Sequence, residues 1–171
     1  AEQVRTCVAY ARTNVKLAAA YGGLSDSYDG PTHHSICDLA VMRALPNMTV
    51  VAAADAVEVQ KMVPLAAEWD GPVYLRISRA EVPIIFDESH EVKIGKGVIL
   101  REGSDVTLIG MGVMVGRCLE AAYRLSKDGI HATVLEVHTL KPIDREIILE
   151  AAKDTGAVVT AEEHTIIGGL G

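Results

Sequence analysis

The sequence lacks several features that would place it in a class at once. Its three cysteines form no CxxC pair, and no apolar run is long enough to cross a bilayer. The N-terminal residues do not have the basic-then-apolar layout of a signal peptide. A formal net charge of -7 gives no basic field for nucleic acid or an anionic membrane surface. We therefore predict a cytoplasmic protein with reduced thiols, and neither nucleic acid nor a membrane as a partner.

The residues that are present alternate between strand-like and helix-like segments. Nearly continuous apolar runs predict strands that are buried on both faces. These runs lie at residues 14–20, 48–54 and 72–78. Between them, apolar residues recur at three- and four-residue intervals over residues 38–45 and 55–69, which predicts helices covering a mainly parallel sheet. Pro64 is expected to kink or shorten the second of these helices.

The pattern breaks in the middle of the chain. Residues 81–92 contain Pro, Asp, Glu and Ser without a helical period, which predicts an interdomain linker leading into a short hairpin. The strand–helix alternation then resumes. The sequence thus predicts an α/β fold with two mainly parallel-sheet units, residues 1–80 and residues 93–171. Ala1 falls inside a helical pattern and the chain stops on "GGLG", so both units are expected to be incomplete.

The stretch "YDGPTHH" at residues 28–34 places one acid and two imidazoles on a tight turn. Its Asp-Gly-Pro sequence has the chemistry of a turn. A predicted strand feeds this loop, and ligands of open α/β sheets bind in the crevice beyond the carboxyl ends of the strands. The residues alone leave two alternatives, which are half of an active site and a solvated turn. The solvated turn is the more common outcome for such a stretch.

His33 is the candidate acid–base residue of this turn. The helical pattern begins at Ser35, so His33 is expected near a helix N-terminus, where the dipole disfavours the imidazolium. A neutral imidazole can donate to one group and accept from another, as proton transfer at a hydroxyl or carbonyl requires. Asp29, four residues earlier, could fix a tautomer or bind a substrate hydroxyl. Adjacent histidines cannot easily bind one ion and the sequence has no HExxH, so we predict no metal site.

Four longer motifs carry a family resemblance. They are "DGPTH", "LPNM", "DGPVYLRISR" and "HTLKPID". The first unit resembles the second half of the pyrimidine-binding domain of transketolase-like, thiamine-diphosphate-dependent enzymes, and the second unit resembles most of their C-terminal domain. The resemblance covers the whole chain and points to the C-terminal section of a split, two-subunit transketolase. Alternatives are 1-deoxyxylulose-5-phosphate synthase, the β subunit of 2-oxo acid dehydrogenase E1, and a non-catalytic interaction or dimerisation module of the same fold.

The resemblance implies roles for three residues directly. His33 matches the family histidine that hydrogen-bonds the donor's hydroxyl and carbonyl oxygens. Asp29 matches the acid that contacts a substrate hydroxyl. Arg79 matches the arginine that binds the acceptor's phosphate, and a planar guanidinium suits that anion. An ion pair with Glu81 or Glu88 is the alternative for this arginine.

Two further positions depart from the family pattern. Tyr21 stands where members usually carry a phosphate-binding histidine. A phenol donates one hydrogen bond but brings no positive charge near neutral pH, so acceptor choice is expected to differ. His34 stands where many members have Gln, and the resemblance implies only a supporting role in substrate binding.

The resemblance also implies cofactors and partners. Family members move a two-carbon ketol unit between sugar phosphates, as in the pentose phosphate pathway, with thiamine diphosphate and Mg²⁺. The glutamate and the aromatics that bind the aminopyrimidine belong upstream of Ala1, and no GDG…N motif for the diphosphate and metal occurs here. The chain's own cofactor-binding residues therefore stay unassigned. An N-terminal transketolase section and a second copy, as in a dimer, are the expected partners, and the chain alone is expected to be inactive.

Overall fold

The computed structural model describes residues 1–25 and 27–171, and strands alternate with helices through this part of the chain. The strands are β1 (Lys16–Ala19), β2 (Thr49–Ala52), β3 (Val73–Arg76), β4 (Val98–Arg101), β5 (Val106–Gly110), β6 (Ala132–Glu136), β7 (Thr139–Lys141) and β8 (Val158–Ala161). The α-helices are α1 (Asp38–Ala44), α2 (Ala56–Glu68), α3 (Met114–Lys127) and α4 (Arg145–Thr155). A π-helical segment, Val4–Tyr10, precedes β1, and a 3-10 turn, Ser27–Asp29, follows it.

The first sheet has the strand order β1-β3-β2-β7. β1 and β2 both pair with β3 in parallel, and every residue of β2 and β3 is buried. β7 comes from the second half of the chain and pairs antiparallel with β2. Its Leu140 packs with Val50 and Tyr74 in one buried cluster. The second half of the chain therefore completes the core of the first sheet.

The second sheet has the order β4-β6-β5-β8. β5 pairs in parallel with β6 and β8, whereas β4 is antiparallel to β6. α3 packs its buried Cys118 and Ala122 against this sheet, and its Val115 packs with Ala54 and Phe86. Among the described residues, no helix has both the length and the apolar character needed to cross a membrane. Two mainly parallel sheets with helices confirm the predicted α/β class.

Pro64 does not shorten helix α2, and an expected hairpin does not form. Helix α2 continues to Glu68, four residues beyond Pro64, which is exposed. The donor that a proline lacks is therefore missing on the solvent side of the helix, where water can satisfy the carbonyl. The expected hairpin after the linker is not formed, because β4 pairs with β6, with Val98 opposite Glu136.

The linker lies against α2 through two side chains of that region. Asp55 caps α2, since its Oδ1 accepts the N–H of Glu58 at 2.8 Å, as the capping pattern in the sequence indicates. Its Oδ2 accepts the N–H groups of Ile85 at 2.6 Å and Phe86 at 2.9 Å. Lys61 donates to the carbonyl of His90 at 2.6 Å. These bonds hold the linker on the first unit.

Candidate functional site

The stretch at residues 28–34 forms a turn at the carboxyl end of β1. Gly30 adopts the left-handed conformation with φ of 73°, and the N–H of His33 donates to the carbonyl of Gly30 at 3.0 Å. Helix α1 begins at Asp38, with Cys37 at its N-cap. The expected helix start at Ser35 was therefore wrong. His33 lies outside the first turn of α1, where a helix dipole acts, and the dipole argument for its neutral state has no basis in the structure.

The structure brings together the four main residues that the sequence singled out. Arg79 Nη1 donates to Asp29 Oδ2 at 2.8 Å. The Arg79 guanidinium lies over the Tyr21 ring, 5.0 Å from its centroid. The Tyr21 and His33 rings follow at 6.4 Å between centroids, tilted by 50°. All four are exposed, so this group, which we call the strand-end cluster, is open to solvent at the carboxyl ends of β1 and β3.

The remaining assignments are placed as follows. His34 is half-buried beside His33. Arg79 forms an ion pair with Asp29, whereas the sequence suggested Glu81 or Glu88 as its partner. The new pairing matters because Asp29 and a bound anion would compete for the same guanidinium.

The backbone of Tyr21 is in the left-handed region. It has φ of 64°, a left-handed conformation that costs a bulky side chain of the order of 1 kcal/mol. This conformation turns the chain directly after β1. It also sets the ring between Arg79 and His33. Strained residues of this kind cluster at ligand sites.

Sequence reasoning missed Arg76, which holds the strand ends together. This last residue of β3 is buried, and it pairs with Asp38 through Nε–Oδ2 at 2.8 Å and Nη2–Oδ1 at 3.1 Å. Its Nη2 also donates to the carbonyls of Ser35 and Glu163, each at 2.9 Å. Arg76 thus joins the loop after β1 to the loop after β8. A single arginine within the apolar run "PVYLRIS" was the signal that could have identified it.

The electrostatics of this buried pair follow from its contacts. Burial opposes ionisation of Asp38, but the hydrogen bonds and the charge of Arg76 outweigh it and hold the pKa of Asp38 below its usual value. The Tyr74 hydroxyl donates to Asp38 at 2.7 Å. Burial and that carboxylate raise the pKa of Tyr74 well above its usual value. The pair is therefore charged at neutral pH and supports the cluster rather than reacting itself.

A cleft of about 670 Å³ lies beside the strand-end cluster. Its walls include Ala54, Ile77 and Ser78 at the carboxyl ends of β2 and β3, together with Glu81 and Val113. Ligands bind at such strand ends in open α/β sheets. None of the four cluster residues lines this cleft. The cluster therefore forms a rim next to the cleft, with room beside it for a larger molecule.

Comparison with known proteins shows which family the chain is similar to. Residues 1–84 match the family model described as transketolase, pyrimidine binding domain. Residues 95–171 match the family model described as transketolase, C-terminal domain. The fold and the matches define two α/β units of the transketolase type.

Individual relatives agree with the two family models. A 6-deoxy-6-sulfo-D-fructose transketolase subunit of Clostridium sp. is 45% identical over 99% of this chain and 53% of its own length. A 1-deoxy-D-xylulose-5-phosphate synthase of Geobacter sulfurreducens is 48% identical over 84% of this chain and 23% of its own length. A solved split gene transketolase, an inactive β4 tetramer, has a TM-score of 0.91 at 47% identity, covering 99% of this chain and 54% of that chain. The chain belongs to the transketolase family and spans about half the length, or less, of the proteins compared.

Proposed function

We propose that this chain is part of a transketolase-type enzyme and supplies residues that bind the sugar substrates of a two-carbon ketol transfer. The observation that carries the proposal is the strand-end cluster. In it Asp29 contacts Arg79, Arg79 lies over Tyr21, and the Tyr21 ring lies next to His33. Tyr21, the turn that carries Asp29 and His33, and Arg79 come from three separate stretches of the sequence, and the fold brings them together. The division into units at residues 1–80, 81–92 and 93–171 is part of the same proposal.

Each side chain of the cluster has chemistry that suits a sugar substrate. His33 can donate to or accept from a donor hydroxyl or carbonyl oxygen. Arg79 can bind an anionic group of the acceptor in a bidentate way, and Asp29 can accept from a sugar hydroxyl. His34 is assigned a supporting role. Relatives are named for 6-deoxy-6-sulfo-D-fructose and for apulose-4-phosphate, which suggests that the anionic group of a sugar substrate is a sulfonate in some members and a phosphate in others. The pentose phosphate pathway is therefore one of several possible settings.

The proposal includes thiamine diphosphate and Mg²⁺, but the residues of this chain do not fit them. Thiamine diphosphate would supply the carbanion chemistry in the complete enzyme. The sequence has no GDG…N motif, and the strand-end cluster belongs to no group of metal-type donors in residues 1–25 and 27–171. We therefore assign the diphosphate and metal sites to an N-terminal transketolase section, in a cytoplasmic enzyme.

The isolated chain should bind thiamine diphosphate weakly and show no ketol transfer. The reason is that the diphosphate, metal and pyrimidine contacts lie outside it. Calorimetric titration of the chain with the cofactor and Mg²⁺ measures this, and no heat of binding is expected at micromolar concentrations. Micromolar affinity of the chain alone would contradict the assignment.

Self-association of the isolated chain is a further expectation. β8 lies at the edge of its sheet with Val158 and Val159 exposed, and Ile166 and Ile167 beyond it are 89% and 76% exposed. Edge strands and apolar patches that lack a cover tend to associate. Sedimentation velocity over a range of concentrations should show dimers or larger species. A monomer at every concentration would argue against a homo-oligomer.

The relative from Geobacter sulfurreducens supports a second candidate, 1-deoxyxylulose-5-phosphate synthase. The complete enzyme would then form 1-deoxyxylulose 5-phosphate instead of exchanging ketol units between sugars. A comparison of the two products formed by the assembled enzyme separates these activities. The absence of both products in an assembly that binds the cofactor would favour a non-catalytic dimerisation module.

A further inference from the structure

Three metal-type side chains meet at the junction of the two units, and none of them belongs to the strand-end cluster. Glu58 lies in the first turn of α2, His90 in the linker, and Glu136 at the end of β6. One donor atom from each lies within 4.8 Å of the other two, and His90 Nε2 is 3.7 Å from Glu58 Oε1. We call these three residues the junction cluster. It was not visible in the sequence, because its members are separated by more than thirty positions each.

The junction cluster is buried, and its donor atoms have no partners among the described residues. Glu58 and Glu136 are both 0% exposed. Apart from a proton that Glu58 and Glu136 can share between them, Glu58 Oε1, both carboxylate oxygens of Glu136 and His90 Nε2 form no hydrogen bond with the described part of the chain. Buried polar atoms are normally satisfied, and an unsatisfied group calls for an explanation such as an ion.

Charge makes the arrangement costly without a cation. Two buried carboxylates face each other, and no lysine or arginine of residues 1–25 and 27–171 forms an ion pair with either. Lys61, the basic group on the same helix, donates to the carbonyls of Glu88 and His90. A divalent cation would neutralise both carboxylates. It would also give a ligand bond to the oxygen and nitrogen atoms that lack a hydrogen bond.

We propose that Glu58, His90 and Glu136 form a binding site for a divalent transition-metal ion, with Zn²⁺ as the best-suited probe. Zinc takes histidine nitrogen and carboxylate oxygen at about 2.0–2.2 Å in tetrahedral sites, which places two ligands about 3.4 Å apart. The separation of 3.7 Å between His90 Nε2 and Glu58 Oε1 is close to that value. Mg²⁺ prefers oxygen ligands alone and keeps several waters, so this buried site with an imidazole should discriminate against it.

Supporting contacts orient two of the three ligands. Glu58 Oε2 accepts the N–H of Ala54 at 2.6 Å, which leaves Oε1 for the ion. The His90 ring stacks on Phe86, with centroids 3.7 Å apart and planes 12° apart. Lys61 fixes the backbone of His90 at 2.6 Å. Contacts of this kind fix the orientation of metal ligands.

The site joins α2, the linker and β6, and so adds to the connection that the pairing of β2 with β7 already makes between the two halves of the chain. α2 belongs to the first unit, β6 to the second, and the linker lies between them. A bound ion would fasten the linker and hold the two units in one relative position. This role is structural and does not depend on the proposed transferase activity.

The test uses the full chain, dialysed against a chelator and then given Zn²⁺ or Mg²⁺ at neutral pH. We expect about one tightly bound zinc per chain by elemental analysis, and a melting temperature that rises with Zn²⁺ and not with Mg²⁺. Glu136→Gln and His90→Gln should each weaken Zn²⁺ binding at least 100-fold, since even outer partners of metal ligands are worth about 10- to 100-fold. His131→Gln, which changes an exposed histidine, should bind zinc as the parent does.

Melting temperatures measured in the presence of chelator show whether a variant that loses zinc still folds. Glu136→Gln should then melt at the same temperature as the parent or higher, because it removes one of two facing carboxylates. A shared proton is the competing occupant, since burial raises the pKa of Glu58 to about 7 and that of Glu136 well above its usual range. An unaltered melting temperature with Zn²⁺, or zinc binding unaffected by both substitutions, would overturn the metal site.

Discussion

His33→Ala should lower kcat of the assembled enzyme by about one to three orders of magnitude, the range lost when one donor to a developing charge is removed. His33 is exposed at the strand end, with its Nδ1 within 3.0 Å of Thr32 Oγ1. A ring that hydrogen-bonds donor oxygens while charge develops contributes more in the transition state than in the ground state. Affinity for thiamine diphosphate should change much less, because we assign the cofactor contacts to the N-terminal section.

Steady-state kinetics and a separate cofactor titration measure the two quantities. His131→Ala is the matched control, since His131 is also exposed and lies on the second unit. Its kcat should equal that of the parent. If His33→Ala left kcat unchanged, or lowered it only through loss of the cofactor, the role carried over from the family would be wrong.

Arg79→Ala should mainly raise KM for acceptors that carry an anionic group. We expect a loss of about 2–4 kcal/mol of charge-assisted hydrogen bonding, or roughly 30- to 900-fold in KM. An anion remote from the reacting carbon is bound similarly in the ground state and the transition state, so kcat should change little. In the structure Arg79 already binds Asp29 at 2.8 Å, which shows that its guanidinium can hold an oxyanion at this position.

The control compares anionic and plain sugars as acceptors. Plain sugars should be affected little by Arg79→Ala, and Arg124→Ala on the exposed face of α3 should affect neither class. Tyr21→His, which restores the usual family residue, should tighten binding of phosphorylated acceptors. Equal losses for both classes of acceptor in Arg79→Ala would mean that the arginine acts through structure alone.

The order of strands and helices could be predicted from the sequence because it follows from short-range patterns. Apolar runs and three- to four-residue periods located β1, β2 and β3 within a few residues of their observed ends. β7 is only three residues long and is defined by pairing with β2, a strand about ninety positions earlier. Pairing over such a distance leaves no mark in a local pattern.

The candidate site shows the same division between local and distant information. The family resemblance pointed to Asp29, His33 and Arg79, but not to Asp29 as the ion-pair partner of Arg79. Arg76 lies within an apolar strand and its partner Asp38 lies in a different element, so the pair does not follow from neighbouring residues. The junction cluster could not be predicted, because burial and the facing of two carboxylates are properties of the folded chain.

Reconstitution of ketol transfer tests the central claim most directly. The chain would be assembled with sections that carry the cofactor glutamate and the GDG…N motif, and transfer between sugar phosphates measured with thiamine diphosphate and Mg²⁺. Our account predicts transfer that requires both this chain and the added sections, and that falls about 10- to 1000-fold with His33→Ala. Transfer of equal rate without this chain, or no transfer by an assembly that binds the cofactor, would contradict it.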